Sequence, residues 1–248
     1  MKQKVSDYIA EYIAQWGIRD VFTVTGGGAM HMNDAFGHHP KLHCTYQHHE
    51  QACAMAAEAY ARMDNRMAAV CVTTGPGATN AITGVLGGWM DSIPMLVLSG
   101  QVRYDTTVRH SGLKIRTMGV QEYDITPSVE PMTKYAVMVT DPLTIRYHLE
   151  RAIYLAKTGR PGPCWLDLPL NVQSAVVETD DLKAYDPSED AKELPAPVSE
   201  ETVKQILEKL KLASRPLIFA GHGIRLAGAY DEFQHLVELL GIPVVTGM

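Results

Sequence analysis

The chain has 248 residues, of which 46% are hydrophobic and 20% charged, and its formal net charge is −6 at pH 7. This is the composition of an ordinary globular protein. The acidic balance, without any run of lysine and arginine, excludes the basic surface typical of nucleic-acid-binding proteins. No apolar stretch reaches the roughly 20 residues that a bilayer-spanning helix needs, and no signal peptide is evident. We therefore expect neither a nucleic-acid nor a membrane partner.

The four cysteines indicate a reducing compartment. Cys44, Cys53, Cys71 and Cys164 form no C-x-x-C pair, and each lies among apolar residues. This pattern is typical of buried free thiols rather than of a disulfide framework or a metal site. A cytoplasmic location fits it best.

The first 172 residues alternate predicted helices and strands in the order of an α/β protein. The run 67–73 is continuously apolar, which is typical of a strand buried on both faces, as in a parallel sheet. We predict a doubly wound, mostly parallel sheet with helices on both faces. The predicted strands are 20–24, 42–46, 67–73, 94–99, 134–139 and 163–169, and the predicted helices are 5–16, 30–36, 50–63, 78–89 and 141–159.

The composition changes after residue 172, and this change predicts the domain organisation. Residues 173–197 are rich in acidic residues and proline, which is typical of a linker. Residues 198–248 predict two helices and two strands, too few to cover a sheet on both faces. We expect domain 1–172, linker 173–197, and in 198–248 the truncated start of a second, Rossmann-like α/β domain.

Three predicted strand-to-helix turns carry the residues that suggest a ligand site. They are the glycine turn 25–28, the turn before Glu50, and the glycine turn 75–77. In a doubly wound sheet such turns meet at the carboxyl ends of the strands, and glycine lets a backbone approach a flat ligand or an anion. Together they predict one crevice that contains an acid. Taken alone, Glu50 is more typical of a solvated residue in the first turn of a helix, where the helix dipole stabilises it.

The sequence does not match the residue spacing of other common functional motifs. The turn at Gly26 lacks the G-x-G-x-x-G pattern, and residues 221–223 form a lone G-x-G, which disfavours a nucleotide-dependent oxidoreductase. His49 and Glu50 are not followed by a second histidine at the spacing of H-E-x-x-H, so no metal ligands are predicted. No G-x-S-x-G supports a serine nucleophile.

A set of short motifs resembles, in order and spacing, the thiamine diphosphate-dependent enzymes, and most of all the large subunits of acetolactate synthase. The resemblance covers about residues 4–172 as the pyrimidine-binding domain and 216–248 as the start of the central domain. The motifs are His49-Glu50-Gln51 with Ala57–Arg62, Thr74–Ala81, Asp91–Pro94, Ser99–Gln101, Gln121–Asp124, Gly159–Pro163 and Asp167–Pro169.

The resemblance implies a role for each candidate site residue. Glu50 would hydrogen-bond a ring nitrogen of the cofactor's aminopyrimidine, which then takes the proton from the thiazolium carbon. Gln121 would point toward the reacting carbon. The implied cofactor-binding residues are Glu50, with Thr25, Gly26 and Gly27 on one wall and Thr73, Pro76, Gly77 and Asn80 on the other.

The resemblance also implies the partners. The substrate would be a 2-oxo acid that is decarboxylated and ligated, and the working unit a homodimer or homotetramer. Mg²⁺ and the diphosphate would be bound by a later domain, and FAD is possible on the central domain. Thr25 stands where the family commonly has proline, and Val120 where acetolactate synthases often have an aromatic residue. The alternative is a truncated cofactor-binding and dimerisation module without catalysis.

Overall fold

A computed structural model describes residues 1–193 and 196–247 of the chain. These form two compact units, Met1–Lys192 and a unit that begins at Glu193. Leu194 and Pro195, which belong to the predicted linker, and Met248, at the end of the second predicted domain, lie outside the described residues.

The first unit is built on a six-stranded parallel sheet, which confirms the predicted α/β fold class. The strand order is β3-β2-β4-β5-β7-β6. A short antiparallel pair, β1 with β8, lies outside this sheet. The strands are β1 (Lys2–Lys4), β2 (Asp20–Thr23), β3 (His43–Tyr46), β4 (Ala69–Val72), β5 (Met95–Gln101), β6 (Tyr135–Met138), β7 (Pro163–Pro169) and β8 (Val176–Glu178).

The helices of the first unit cover both faces of the sheet. They are α1 (Val5–Gln15), α2 (Met30–His38), α3 (Glu50–Asp64), α4 (Pro76–Asn80), α5 (Ile82–Met90), α6 (Val108–Ser111), α7 (Thr126–Val129), α8 (Ile145–Lys157) and α9 (Leu170–Gln173). Side chains of α1, α2 and α8 form one hydrophobic core, and those of α3, α5 and α7 form the other.

The central strands divide their side chains between these two cores. In β4, Ala69 and Cys71 lie in the first core, whereas Val70 and Val72 lie in the second. Successive side chains of a strand point to opposite faces, so a strand between two helical layers must be apolar at every position. This explains the continuous apolar run in the sequence.

The alanine-rich helix α3 packs closely against α5. A Cβ atom on Gly84 of α5 would lie only 2.6 Å from Cβ of Ala54. Small residues on both helices therefore allow backbone approach, and this packing fixes α3 beside the sheet.

The predicted helix 78–89 is two helices in the structure. α4 begins at Pro76, because proline is tolerated in the first turn, where its missing N–H would be unpaired in any case. α5 begins at Ile82 after a break at Ala81.

The predicted linker belongs to the first unit as far as residue 192. Its strand β8 pairs with β1. Arg151 of α8 donates two hydrogen bonds, of 2.9 and 2.7 Å, to the carboxylate of Asp190, and the Tyr185 hydroxyl donates a third of 2.6 Å. The acidic residues that suggest a solvated linker thus include ion-pair partners of the folded domain. The boundaries of the predicted domains stay a prediction.

The second unit contains the predicted helix–strand alternation. β9 (Ile218–Ala220) and β10 (Val244–Thr246) pair in parallel, with α10 (Glu200–Leu212), α11 (Gly223–Leu226) and α12 (Tyr230–Leu240) around them. The single predicted helix 226–240 is interrupted at Gly228, whose φ is +69°. Within the described part of the chain, no helix is long and apolar enough to cross a membrane.

Candidate functional site

The predicted crevice lies in the first unit at the carboxyl edge of three neighbouring strands. β3, β2 and β4 are adjacent and parallel, so the turns that follow them lie at the same edge of the sheet. Glu50 follows β3, and the two glycine turns follow β2 and β4. The topology therefore brings together the three turns that the sequence singles out.

Glu50 is the buried acid of this crevice. It is the first residue of α3, where the helix dipole favours a negative charge. Its side chain is 9% exposed, and Asn80 at the end of α4 donates a hydrogen bond of 2.9 Å to its Oε2. Its Oε1 faces Gly77, where a Cβ atom would lie 3.4 Å away. One carboxylate oxygen is thus fixed by an amide, and the other lies beside a residue that has no side chain.

The two glycine turns interlock through adjacent threonines. A Cβ atom on Gly26 or Gly77 would overlap Thr73, and one on Gly28 would overlap Thr74. The Gly28 N–H donates a hydrogen bond of 3.0 Å to Thr73 Oγ1. Glycine is required at these positions because any side chain would push the turns apart. Thr73 therefore fixes the distance between the walls of the crevice.

The rim of the crevice is open. Gly27 is exposed, and a Cβ atom placed on it would meet nothing within 4 Å. Thr25 and Pro76 are exposed as well. A buried acid behind an accessible glycine backbone fits a flat heteroaromatic ring, whose edge can hydrogen-bond the acid while its face lies against the turn.

Gln121 reaches this edge of the sheet through its backbone. Its φ is +59°, an uncommon value for a residue other than glycine, and its side chain is exposed. Its carbonyl oxygen lies so close to Gly75 that a Cβ atom there would overlap it, and Gly75 itself has φ +59°. The left-handed glycine thus brings the segment around Gln121 against the turn that carries Pro76 and Gly77.

Glu122 orders the long segment before α7. Its carboxylate accepts hydrogen bonds from the backbone N–H groups of Val108 (2.6 Å), Met118 (2.8 Å) and Gly119 (3.0 Å). Three backbone donors on one carboxylate tie distant parts of this irregular segment together. This irregular segment is therefore held in a defined arrangement beside the crevice.

A buried polar network was not assigned any role by sequence reasoning. Asp167 is fully buried in β7 and pairs in register with Ser99 of β5. The Ser99 hydroxyl donates a hydrogen bond of 2.6 Å to Asp167 Oδ1, and Gln101 Nε2 donates one of 3.1 Å to Oδ2. Burial raises the pKa of Asp167 to about 7, and these two hydrogen bonds oppose the shift. The detectable signal was a polar residue within each of two apolar strands.

Burial disfavours the thiolate form of the three buried cysteines. Burial raises the pKa of Cys53 to about 12, and the nearby charge of Glu50 acts in the same direction. Burial likewise raises the pKa of Cys71 and Cys164 to about 12. Cys44 is only half-buried, contrary to the expectation, because β3 is the edge strand of the sheet. Among the described residues, no group of three or more His, Cys, Asp or Glu side chains is placed to hold a metal ion.

Comparison with known proteins agrees with this fold. Residues 3–122 match the N-terminal TPP binding domain of thiamine pyrophosphate enzymes, and residues 203–248 match the central domain of the same enzymes. The two matches occur in the order in which the family has these domains. The chain belongs to the thiamine pyrophosphate enzyme family.

Within this family the chain is similar to acetolactate synthases. It is 34% identical to the acetolactate synthase large subunit of Lactococcus lactis over 97% of this chain and 40% of that protein. It is 37% identical to the large subunit of Corynebacterium glutamicum (91% and 34%) and 30% identical to the isozyme 3 large subunit of Escherichia coli (98% and 41%). The chain spans about two fifths of the length of the relatives it matches, and it corresponds to their N-terminal region.

Proposed function

We propose that the full-length protein is a thiamine diphosphate-dependent enzyme of the acetolactate synthase kind, which decarboxylates a pyruvate-type 2-oxo acid and ligates the remaining fragment to a second one. The observation that carries this proposal is Glu50, a buried carboxylate that Asn80 fixes in a crevice walled by glycine turns. Membership of the family and the similarity to acetolactate synthases support the reaction class.

The residues of the crevice are proposed to have different roles, according to where each lies. Glu50 would hydrogen-bond a ring nitrogen of the aminopyrimidine, because its carboxylate is buried and Asn80 fixes its orientation. Asn80 orients that carboxylate, and Gly26, Gly27 and Gly77 let the ring come close. Thiamine diphosphate, when bound, supplies a carbon nucleophile that attacks the 2-oxo acid and accepts the electrons released as carbon dioxide leaves.

For the other wall and the substrate side we propose the roles that the family resemblance implies. Thr73 and Pro76 shape the wall that follows β4, and Thr25 shapes the rim that follows β2. Gln121, which is exposed and whose backbone lies beside the Gly75 turn, would point toward the reacting carbon.

The remaining partners follow from the family. We propose that Mg²⁺ and the diphosphate are bound by a later domain, and that the central domain carries FAD. We propose a homodimer or homotetramer, which is supported by exposed large apolar side chains on α3 and α5. These are Met55, Met63, Leu86, Trp89 and Met90. The free cysteines support a cytoplasmic location.

The test is the turnover of a 2-oxo acid by the full-length protein and its Glu50→Gln variant, with added thiamine diphosphate and Mg²⁺. Carbon dioxide release should fall by a factor on the order of 100 or more, the size of a general acid–base contribution. Glu58→Gln is the matched control, because it makes the same change two turns along α3, where Glu58 pairs with Arg62. Near-normal turnover by Glu50→Gln would contradict the proposal.

A further inference from the structure

A continuous chain of hydrogen bonds leads from the buried core between β5 and β7 to the segment that carries Gln121. The Trp165 indole donates a hydrogen bond of 2.8 Å to Ser99 Oγ, and the Ser99 hydroxyl donates to Asp167. Gln101 Nε2 donates both to Asp167 and to the backbone carbonyl of Tyr123, the latter at 2.8 Å. The chain of hydrogen bonds therefore ends two residues from Gln121.

The network leaves the Gln101 amide one orientation. Its Oε1 accepts the Val102 N–H at 3.1 Å, and its Nε2 faces Asp167 Oδ2, which is an acceptor. A flipped amide would place two donors together at Val102 and two acceptors together at the Tyr123 carbonyl. Because Gln101 is 1% exposed, water cannot compensate for either conflict. The second Nε2 hydrogen is thereby directed at the Tyr123 carbonyl.

Gln121 is held from the other side by a steric contact. Its carbonyl oxygen lies against Gly75, and its backbone has left-handed φ. A non-glycine residue in this conformation persists only where its surroundings determine it. The contact at Gly75 and the anchor at Tyr123 together bracket Gln121.

We propose that Gln101, oriented by the buried carboxyl group of Asp167, is a positioning residue that anchors the 121–123 backbone and so sets the place of Gln121 beside the crevice. The proposal rests on the proposed function for its catalytic meaning, because Gln121 faces the substrate there. The anchor itself is a property of the fold. It should affect the order of the segment and the turnover of substrate, but leave the affinity for thiamine diphosphate nearly unchanged, since Glu50, Gly26 and Gly77 belong to other turns.

The test compares Gln101→Leu with the wild type in the full-length protein, by amide hydrogen exchange. Leucine has a similar size but cannot donate to Tyr123. We expect exchange of the amides in 117–125 to become faster by on the order of tenfold, the factor that corresponds to one lost hydrogen bond. Thr133→Val is the matched control, because it also removes one buried hydrogen bond, from Thr133 Oγ1 to the Val129 carbonyl, outside the network.

A second variant and a kinetic measurement provide independent tests of the proposed anchor. Asp167→Asn keeps the shape of the side chain but offers only one acceptor, so it should loosen 117–125 less than Gln101→Leu does. Both variants should lower kcat for the 2-oxo acid more than they change the binding of thiamine diphosphate measured by calorimetry.

Two results would overturn the anchor. One is exchange in 117–125 that equals the wild type in both variants, and the other is exchange that rises no more than in Thr133→Val. A full-length protein without thiamine diphosphate-dependent turnover would refute the proposed function instead, and the exchange comparison would still decide whether Gln101 anchors the segment.

Discussion

The glycines of the crevice show how a single methyl group would act on the site. In Gly77→Ala the new Cβ atom would lie 2.7 Å from Thr73 Cγ2 and 3.4 Å from Glu50 Oε1. Thr73 also contacts Gly26, so it cannot move away freely. We predict that Gly77→Ala separates the walls and weakens thiamine diphosphate binding by the full-length protein at least tenfold, or about 1.4 kcal/mol.

The matched control for that prediction is Gly37→Ala. A Cβ atom on this exposed glycine of α2 would meet only the end of the Tyr46 side chain, at 3.4 Å. Calorimetric titration of both variants with the cofactor and Mg²⁺ should show weakened binding by Gly77→Ala alone. Equal affinities would mean that Gly77 does not shape the pocket.

Asp167 should make the stability of the protein depend on pH. Burial raises its pKa from 3.8 to about 7, so between these values the folded state keeps a proton that the unfolded state releases. Its contribution to stability is therefore complete below pH 3.8 and is lost as the pH rises to about 7. From pH 5 to pH 8 the free energy of unfolding of the wild type should fall by about 2–3 kcal/mol relative to that of Asp167→Asn.

Urea unfolding of both proteins at pH 5 and pH 8 measures this difference directly. The amide in the Asp167→Asn variant does not titrate in this range, so the variant supplies the baseline for all other titrating groups. If the two proteins lose the same free energy of unfolding between these pH values, Asp167 has an ordinary pKa, and the network is ionised throughout.

At the scale of the elements, α8 holds the acidic segment that follows β8 in place within the first unit. Arg151 binds Asp190 with two parallel hydrogen bonds, and its guanidinium group lies 4.7 Å from the centroid of the Tyr135 ring. Asp190 is 6% exposed. A lysine at position 151 would keep the charge but lose the paired donors and the flat stacking surface.

We predict that Arg151→Lys lowers the free energy of unfolding by about 1–2 kcal/mol and speeds amide exchange near Tyr185 and Asp190. Arg103→Lys is the control, because Arg103 makes the same two-bond contact with Asp105 at the surface, where ion pairs contribute little. Thermal unfolding that is equal in the two variants would show that the Asp190 contact adds no stability.

The elements of the sheet could be predicted because their signal is local. The continuous apolar run at 67–73 indicated a strand between two layers, and β4 lies there. The pair of β1 with β8 could not be predicted in the same way, since each has three residues and Lys2 pairs with Glu178. The break between α4 and α5 escaped prediction because Ala81 is a good helix former.

At the scale of the whole molecule, the general position of the site followed from sequence and its finer arrangement did not. Parallel strands place their following turns at one edge, so the glycine turns and Glu50 could be expected to meet. The approach of Gln121 to Gly75 depends on a left-handed backbone conformation at both residues, which are far apart in the sequence. No local sequence pattern predicts it. The network of Asp167 likewise depends on the register between β5 and β7.

The chain covers only the N-terminal region of its relatives, so the central claim concerns Glu50 and not the complete reaction. Under the proposed function, Glu50, whose carboxylate accepts a hydrogen bond from Asn80, would hydrogen-bond a ring nitrogen of the cofactor. The proposed role of Glu50 has a consequence that can be measured on the bound cofactor before any substrate is added. The proton on the thiazolium carbon of bound thiamine diphosphate should be removed much faster than that of the free cofactor.

The most direct measurement is the exchange of that thiazolium proton for deuterium in the full-length holoenzyme, followed by NMR after acid quench. We predict rapid exchange in the wild type and exchange slower by a factor on the order of 100 or more in Glu50→Gln, with cofactor occupancy matched between the two. Equal exchange rates in the two proteins, or a wild-type rate no faster than that of free thiamine diphosphate, would contradict the role of Glu50.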